Sequence, residues 1–275
     1  MSTALRVLSM LISITLAAPA FAESESAPVE LYQAKPVVTG TGEKNRLIGF
    51  ALALEDVLVK VSGDPRLLGD PRVAELAKDA ASMVHEFRYR DRLDGIPIHD
   101  EQGSHDRPHD LTTIFFPEKI DEALAELGSR PWTELRPTIT LLLGVRNGDR
   151  SFLLTSDGER GVDMRDSLHQ ASLKVAIPAT LPSSVAIDAA GVTEETLPSI
   201  DLATLDRLAS AAGGSYALVG SLVWSEEELG WIADWRIRAK GEDYRWQIRG
   251  VSFDDAFRNA IRGTAQVLSG NGNPD

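Results

Sequence analysis

Three of the chain's five histidines stand in one short stretch, HDEQGSHDRPHD. His99, His105 and His109 carry imidazoles, which ligate zinc and copper, and a zinc site needs three or four ligands that converge at about 2 Å. Pro108 keeps His105 and His109 from sharing one helical face, so the rings converge only if the whole loop is ordered. Because ordering costs about 1–2 kcal/mol per residue, we interpret the stretch as a solvated connection without a cofactor. A zinc or copper site on these three histidines is the alternative.

Residues that could support catalysis form no recognised pattern. The chain has no cysteine and no G-x-S-x-G turn that would expose a nucleophilic serine. His85 lacks the second histidine of an H-E-x-x-H metal site. The turn VVTGTGEKNRL places Lys44 before a helix, but Asn45 stands where a nucleotide loop needs Ser or Thr. We therefore assign no catalytic residue, while an unrecognised hydrolase with a deep pocket of convergent polar groups stays open.

Aromatic side chains are concentrated near the end of the chain: Trp224, Trp231, Trp235, Tyr244 and Trp246. Strand alternation puts Trp231 and Trp235 on one side of a strand, and Tyr244 and Trp246 on one side of the next, with Arg245 facing away. Such a face either packs beneath a helix or binds a ligand or partner. We expect core packing under the final helix, and a recognition surface is the alternative.

The elements of the first part of the chain follow from hydrophobic periodicity. VELYQAKPVV predicts a strand, and a helix follows whose apolar positions recur at steps of three and four: Leu47, Ala51, Leu54, Leu58 and Val61. Gly63 ends this helix, and Asp70-Pro71 begins another. SMVHEFRYR and HDLTTIFFP predict paired strands joined by the histidine-rich stretch, and Pro117 opens a further helix.

The second part begins after the junction SRPWTELRP. TITLLLGV predicts a strand buried on both faces, and Asn147-Gly148 predicts a hairpin to SFLLT. Three strands in meander spacing, SYALVGSLVW, GWIADWRIRA and YRWQIRG, precede a helix capped by Ser252. We predict an α+β fold, a mixed α/β sandwich of two packed sub-domains, 29–130 and 136–269, with a disordered tail at 270–275. The second sub-domain ends in the antiparallel meander, covered by the C-terminal helix.

Composition limits the classes of partner. The 275 residues carry 28 basic and 41 acidic side chains, a formal net charge of −13. Such a chain is repelled by phosphate backbones, so nucleic-acid binding is not expected. No run of arginine and lysine stands out, and the dispersed charge is typical of a soluble protein. Without cysteine, the chain forms no disulfide and carries no cysteine-linked lipid.

The first residues have the three parts of a secretory signal. Arg6 precedes the apolar run Val7–Ala18, and Ala20-Phe21-Ala22 supplies the small residues of a cleavage site after Ala22. The run is shorter than the roughly 20 residues that a membrane-spanning helix needs. We therefore predict a signal peptide at 1–22, a periplasmic location and no transmembrane segment in the mature chain.

Several runs together resemble a known family: LYQAKPVV, ALEDVLVKVSGDPRLLGDPRV, FRYR, FFPEKIDEALAELGSRPWTELRPTITLLLGV and YALVGSLVWSEEELGWIADWRI. They are similar to an uncharacterised Gram-negative envelope family, domain of unknown function two-zero-six-six, from about Val29 to Leu268. The resemblance implies a secreted protein with no assigned activity, so it transfers no functional residue. The family's genes lie near a multi-spanning permease-like protein, which implies an envelope or inner-membrane protein as partner.

These observations lead to one main hypothesis and two rivals. The main hypothesis is a secreted, periplasmic, non-catalytic protein that binds a protein or an envelope component. The first rival is a metal-binding or metal-buffering protein that uses the loop from His99 to His109. The second is the unrecognised hydrolase.

Overall fold

The computed structural model describes residues 29–96 and 106–274. The predicted leader and the histidines at positions 99 and 105 lie outside the described residues. Helices and strands are mixed along the chain, and the described strands form two sheets. The predicted α+β class is confirmed, with an antiparallel meander that ends in a C-terminal helix. None of the helices in the described residues has the length and apolar character that a membrane crossing requires.

The first sheet is antiparallel and has β4 at its centre, with β1 and β2 along one side and β3 along the other. Short 3-10 turns lie at Val29–Tyr32, Pro65–Leu67 and Ala77–Asp79. The helices and strands are β1 (Gln33–Ala34), β2 (Val37–Thr39), α1 (Glu43–Ser62), α2 (Pro71–Leu76), α3 (Ala80–Met83), β3 (Val84–Asp91), β4 (Pro108–Phe115) and α4 (Pro117–Glu126).

The second sheet has the order β10-β9-β8-β5-β6, with β7 beside β5. β5 runs parallel to β7 and β8, and the other pairs are antiparallel. Its elements are β5 (Ile139–Asn147), β6 (Arg150–Leu154), α5 (Val162–Val175), β7 (Ala179–Thr180), α6 (Ser184–Ala190), a 3-10 turn (Leu197–Ser199), α7 (Leu202–Ala211), β8 (Tyr216–Ser225), β9 (Gly230–Ala239), β10 (Glu242–Val251) and α8 (Phe253–Ser269).

Helix α1 ends where the sequence predicts, but its buried face is shifted. Gly63 adopts a left-handed conformation (φ 68°), and its N–H donates to the carbonyl of Val59. Leu47, predicted to face the core, is 47% exposed. Burial begins only at Gly49, because the first two turns of α1 are largely uncovered by the rest of the molecule. The predicted position of Leu47 is therefore wrong, whereas Leu54, Leu58 and Val61 are buried.

One predicted strand differs from the structure because of a proline, and one short helix lies where the sequence predicts none. The single strand predicted over VELYQAKPVV is instead a 3-10 turn followed by β1 and β2, which Pro36 interrupts. Proline has no N–H to give to the sheet. Helix α6 was not predicted, since its surroundings are rich in proline and serine. Ser183 caps it by accepting a hydrogen bond from the N–H of Ala186 at 3.2 Å.

The two sheets meet at the junction around Trp132. The N–H of Trp132 donates to the carbonyl of Val61 at 2.8 Å. The guanidinium of Arg136 lies 3.7 Å from the centre of the Trp132 ring and donates to the carbonyl of Lys60 at 2.8 Å. Burial lowers the pKa of Arg136 to about 10. This stacked arginine holds the last turn of α1 against the start of the second sheet.

The two faces of the second sheet are covered differently. Helices α5 and α8 cover one face, where the hydrophobic core includes the tryptophans. Helices α6 and α7 cover the opposite face only over β5 and β8, with Leu142 and Val219 in a smaller cluster. β9 and β10 are therefore left with an open, mostly polar face. The tail beyond α8 is described to Pro274, and Asn271 donates to the carbonyl of Ser62 at 3.0 Å.

Candidate anion-binding site

The histidine site can be followed only in part. His109 lies in β4, where its Nδ1 is 2.8 Å from the carbonyl oxygen of Arg107, a distance that fits donation by Nδ1–H. Its ring packs edge-on against Tyr89, with the ring centres 5.9 Å apart. Within 29–96 and 106–274, no group of three or more acidic or histidine side chains is placed to hold a metal. A metal site that also needs His99 and His105 stays a prediction.

The tryptophan face lies mostly in the interior. Trp235 is 2% exposed, Trp231 and Trp246 are also buried, and the indole N–H of Trp246 donates to Oδ1 of Asn259 on α8 at 3.0 Å. Trp224 and Tyr244 are only partly buried. Trp224 pairs with Trp231, and Tyr244 pairs with Ile237, six positions further along β9. At about 3.4 Å per residue, the backbone positions of Trp224 and Tyr244 are about 20 Å apart along the strands. A shared binding role for the five aromatic residues stays a prediction.

A cleft of about 660 Å³ lies between the first sheet and α5. We call it the cationic cleft, because six of its described lining residues are basic: Lys35, Lys60, Arg88, Arg90, Arg92 and Lys174. The acidic residues that line it are Asp56 and Asp110. When all of these groups are ionised, four positive charges are in excess. The surrounding chain has a net charge of −13, so this excess is local.

Strand geometry brings the arginines together. Arg88 and Arg90 are alternate residues of β3, so they project from the same face, and Arg92 follows directly after the strand. Arg88 pairs with Thr112 and Arg90 pairs with Asp110 on β4. The intervening residue Tyr89 projects from the other face, where it packs against the hydrophobic core. The apolar interior therefore forces the basic residues of β3 to the outer face.

The acidic groups of the cleft neutralise the basic ones only in part. Nε of Arg90 and Nε of Arg92 lie 3.5 and 3.6 Å from the two carboxylate oxygens of Asp110. Nζ of Lys174 lies 3.9 Å from Asp56. The contacts are long, and although the two carboxylates are partly buried the three cations are largely exposed, so each pair contributes about 1 kcal/mol at most. The guanidiniums keep donor capacity for a ligand.

Lys60 is the buried cation of the cleft. It is 8% exposed, and its Nζ donates to the carbonyl of Gln33 at 2.7 Å and to that of Glu30 at 3.5 Å. Burial lowers the pKa of Lys60, while the nearby carboxylates of Asp56 and Glu30 act in the opposite direction. An anion in the cleft would stabilise the charged form of this amine.

Apolar side chains lie beside the charges. Val37 and Leu173 line the cleft and are 47% and 55% exposed. They come from opposite walls, since Val37 belongs to β2 and Leu173 to α5. The arrangement is suited to holding an anion with an apolar portion.

Sequence reasoning did not find this site. The only local sequence pattern that points to the cleft is FRYR and the residues after it, where arginines alternate with aromatic residues. Lys35, Lys60 and Lys174 are isolated in the sequence; Lys35 directly follows β1, and the other two reach the cleft from α1 and α5. The basic residues are therefore dispersed along the sequence, as predicted, but the fold brings six of them together around one cleft.

Comparisons with known proteins give one family match. A family model described as Domain of unknown function (DUF8605) matches residues 27–133. No curated protein and no solved structure matches the chain. The expected likeness to an uncharacterised family is confirmed, but the number of the matching family differs from two-zero-six-six, and the match ends near the junction at Trp132. It contains the first sheet and α1, and therefore every basic residue of the cationic cleft except Lys174.

Proposed function

We propose that this protein is exported to the periplasm and is a non-catalytic binding protein for an anionic amphiphile of the envelope, whose phosphate-bearing headgroup enters the cationic cleft. One observation carries the proposal: six basic side chains surround a single cleft in a chain whose net charge is −13. An excess of one charge sign in a concave site of a protein of the opposite sign favours a ligand of complementary charge.

Arginine on the wall of the cleft favours a phosphate. The planar guanidinium presents donors that match two oxygens of a phosphate or carboxylate at once. Arg88, Arg90 and Arg92 present three such groups along one strand and its end. Basic residues close to an anionic lipid surface contribute about 1 kcal/mol each, so the three arginines together supply a substantial part of a micromolar affinity.

The exposed apolar residues favour an amphiphile over a free anion. Val37 and Leu173 stand at the walls of the same cleft and leave apolar surface in water when it is empty. Burying that surface against the glycerol or upper acyl region of a lipid is favourable by about 25 cal/mol for each Å². A lone phosphate ion would satisfy the arginines but leave this surface uncovered.

The predicted export supports an envelope ligand. The signal at 1–22 lies outside the described residues, so the periplasmic location is part of the proposal. An envelope or inner-membrane protein, the partner implied by the family resemblance, would then deliver or accept the amphiphile. An acidic segment of such a protein is the competing occupant of the cleft, and the experiment below separates the two.

The test is co-sedimentation of the chain from residue 23 onward with vesicles. Phosphatidylcholine vesicles containing phosphatidylglycerol should bind the protein, and pure phosphatidylcholine vesicles should not. Replacing Arg88, Arg90 and Arg92 by alanine should weaken binding by about a hundredfold, since each arginine contributes about 1 kcal/mol. The matched control removes the exposed arginines 130, 150 and 207, which change the net charge equally but lie outside the cleft.

The outcomes decide between the possible occupants. Equal losses in both triple variants would overturn a defined site and leave only a diffuse electrostatic effect. Tight binding of inorganic phosphate with no vesicle binding would replace the amphiphile by a free phosphate. Binding of an acidic peptide, such as poly-glutamate, in preference to vesicles would favour a protein partner. Fractionation of cells that express the full chain tests export, and product retained in the cytosol with its first 22 residues would refute it.

A further inference from the structure

A second, smaller groove lies on the open face of the second sheet. Its volume is about 360 Å³, and its floor is formed by β8, β9 and β10. The 3-10 turn that begins at Leu197 forms a wall together with Glu194. The lining of the groove also includes the buried residues Trp235 and Trp246, and it shares no residue with the cationic cleft. It is therefore a separate feature of the molecule.

Two arginines face each other in this groove. Arg236 on β9 is the direct antiparallel partner of Arg245 on β10, and both line the groove. Like charges at directly opposite positions of a sheet destabilise it unless something neutralises them. Within 29–96 and 106–274, neither side chain has an ion pair or a hydrogen bond, and Nη2 of Arg236 is shielded from solvent without an acceptor. A buried guanidinium nitrogen without an acceptor is uncommon in a folded protein.

The acidic residues of the groove are engaged elsewhere. Oδ1 of Asp234 accepts a hydrogen bond from Nε2 of Gln247 at 2.6 Å, and its Oδ2 lies 3.5 Å from the hydroxyl of Ser221. Glu194 accepts from Nη2 of Arg146 at 2.7 Å. These carboxylates are held by neutral partners or by a third arginine. Arg236 and Arg245 are left without an anion of their own.

We infer that the groove binds the carboxylate of a small organic acid, held between Arg236 and Arg245. Each guanidinium matches a carboxylate in the bidentate geometry, and a single negative charge satisfies the unpaired Nη2 of Arg236. Leu197, Pro198 and Val219 line the same groove and would contact an apolar body. Because Asp234 and Glu194 also line it, a monoanion fits better than a dianionic phosphate, which these two carboxylates would repel.

Titration of the chain from residue 23 onward with benzoate, followed by NMR, tests this inference. The Nε–H signals of Arg236 and Arg245 should shift in parallel, and methyl benzoate, which has no charge, should leave them unchanged. Arg236→Ala and Arg245→Ala should each weaken benzoate binding by about tenfold, the size of one lost charge-assisted pair. Arg238→Ala is the matched control, because Arg238 lies two residues further along β9 on the same face but does not line this groove.

Each result bears on the inference. Selective loss in the Arg236 and Arg245 variants supports it, and equal loss in the Arg238 variant, or no arginine shift with benzoate, overturns it. Tighter binding of phenyl phosphate than of benzoate would also overturn the choice of a monoanion. If Arg236→Ala fails to fold, Arg245→Ala keeps the test valid, because its side chain is exposed on β10, at one end of the strand order. The variant without Arg88, Arg90 and Arg92 should bind benzoate normally. The benzoate inference can therefore fail while the amphiphile proposal stands, and the reverse also holds.

Discussion

The cationic cleft and the groove that contains Arg236 and Arg245 are both lined by guanidiniums, but they are assembled in different ways. The cleft takes its lining from β1, β2, α1, β3, β4 and α5, which are spread over about half of the chain. The central residues of the groove, Arg236 and Arg245, lie on one hairpin and are paired by strand register alone. The arginine pair of the groove therefore depends on local strand pairing, whereas the basic residues of the cleft depend on how whole layers are placed.

The electrostatics of the two sites differ as well. The cleft has an excess of positive charge, and its arginines are largely exposed. The groove lining has two basic and two acidic side chains, so its charges balance, and one arginine nitrogen is shielded from water. Exposed charges attract a ligand over several ångströms, and salt screens this attraction. A hydrogen-bond donor shielded from water, such as Nη2 of Arg236, interacts with a ligand only by direct contact. The cleft should therefore attract polyanionic surfaces, and the groove should select a small ligand.

The largest expected effect comes from removing the support beneath the groove. The ring of Trp235 lies so close to Gly220 that an added Cβ there would come within 2.3 Å of it. Trp235→Ala should lower the free energy of unfolding by about 3–5 kcal/mol, because it empties a core position. Urea unfolding measures this loss. Benzoate binding should weaken, while vesicle binding by the still-folded protein should persist, since the first sheet has its own hydrophobic cluster.

The control for this prediction is Trp224→Ala. Trp224 is only partly buried, and its indole N–H donates to Glu226 at 2.9 Å near the surface. Its loss should cost clearly less than the loss of Trp235, because fewer packing contacts disappear. Equal losses of vesicle and benzoate binding in the folded Trp235 variant would contradict the independence of the two sites.

The junction should affect the cleft and spare the groove. Arg136→Ala removes the guanidinium that stacks on Trp132 and donates to the carbonyl of Lys60. A hydrogen bond from a charged donor contributes about 1.5–3 kcal/mol, so the free energy of unfolding should fall by about that amount. Vesicle binding should also weaken, because Lys60 and the end of α1 are no longer held against the second sheet. Thermal unfolding and co-sedimentation measure the two effects.

Arg136→Lys provides the comparison at this position. Lysine keeps the positive charge but lacks the planar group that stacks on a ring and reaches several carbonyls. An intermediate stability is expected. A benzoate affinity that falls in parallel with vesicle affinity in these variants would show that the junction positions both sites, contrary to the assembly described above.

Salt should separate the two sites further. The Debye length falls from about 10 Å at 0.1 M to about 3 Å at 1 M salt. Vesicle binding by the cleft should weaken by about tenfold or more over this range, because its charges are exposed and in excess. Benzoate binding in the groove should change by only about twofold to threefold, since a close contact is screened less. Co-sedimentation and NMR titration at matched salt concentrations measure the two affinities. A larger loss of benzoate affinity than of vesicle affinity would contradict this prediction.

The smallest effect concerns the pH dependence of binding in the cleft. Burial lowers the pKa of Lys60, and a bound anion would raise it again by stabilising the ammonium. Between the pKa values of the free and the bound protein, binding is accompanied by proton uptake, so affinity should decline as the pH rises through this window. Benzoate binding should show no such decline, since Lys60 does not line the groove. Calorimetry at alkaline pH, in buffers of different ionisation enthalpy, measures the uptake.

Lys60 also makes the stability of the protein depend on pH in a defined direction. Because the pKa of Lys60 is lower in the folded than in the unfolded chain, the unfolded chain binds more protons between the two values. The contribution of Lys60 to the free energy of unfolding therefore increases as the pH rises through that interval. Lys60→Met should remove this dependence, and it should lose the hydrogen bond to the carbonyl of Gln33.

The elements that the sequence predicted well are those whose causes are local. Asp70 and Ser252 cap helices through hydrogen bonds to nearby backbone N–H groups, and Gly63 ends α1 in the left-handed conformation. The hairpin predicted at Asn147-Gly148 joins β5 to β6, with its two-residue turn one position later, at Gly148-Asp149, because Asn147 still pairs with Arg150. Each of these depends on only a few consecutive residues, so the pattern of residue types is sufficient to predict it.

The failures have causes outside the local sequence. Leu47 has the correct helical spacing, but no other element covers the first turns of α1. The histidines are close together in the sequence, so a shared site can be proposed from residue order alone, whereas the basic residues of the cleft are far apart in the sequence. Contacts between residues that are far apart in the sequence produce no periodic pattern, so they cannot be predicted from a single sequence.

The amino-acid sequence by itself determined the mixed fold, the antiparallel meander and the alternation that puts the tryptophans on one face and Arg245 on the other. Hydrogen-bonding geometry and the burial of apolar side chains act over a few residues, so they can be inferred from residue order. Only the tertiary structure decided that Lys35, Lys60 and Lys174 join the arginines of β3 around one cleft. That grouping results from the packing of α1 and α5 beside the first sheet, and packing depends on the shapes of surfaces that form only after the elements have folded.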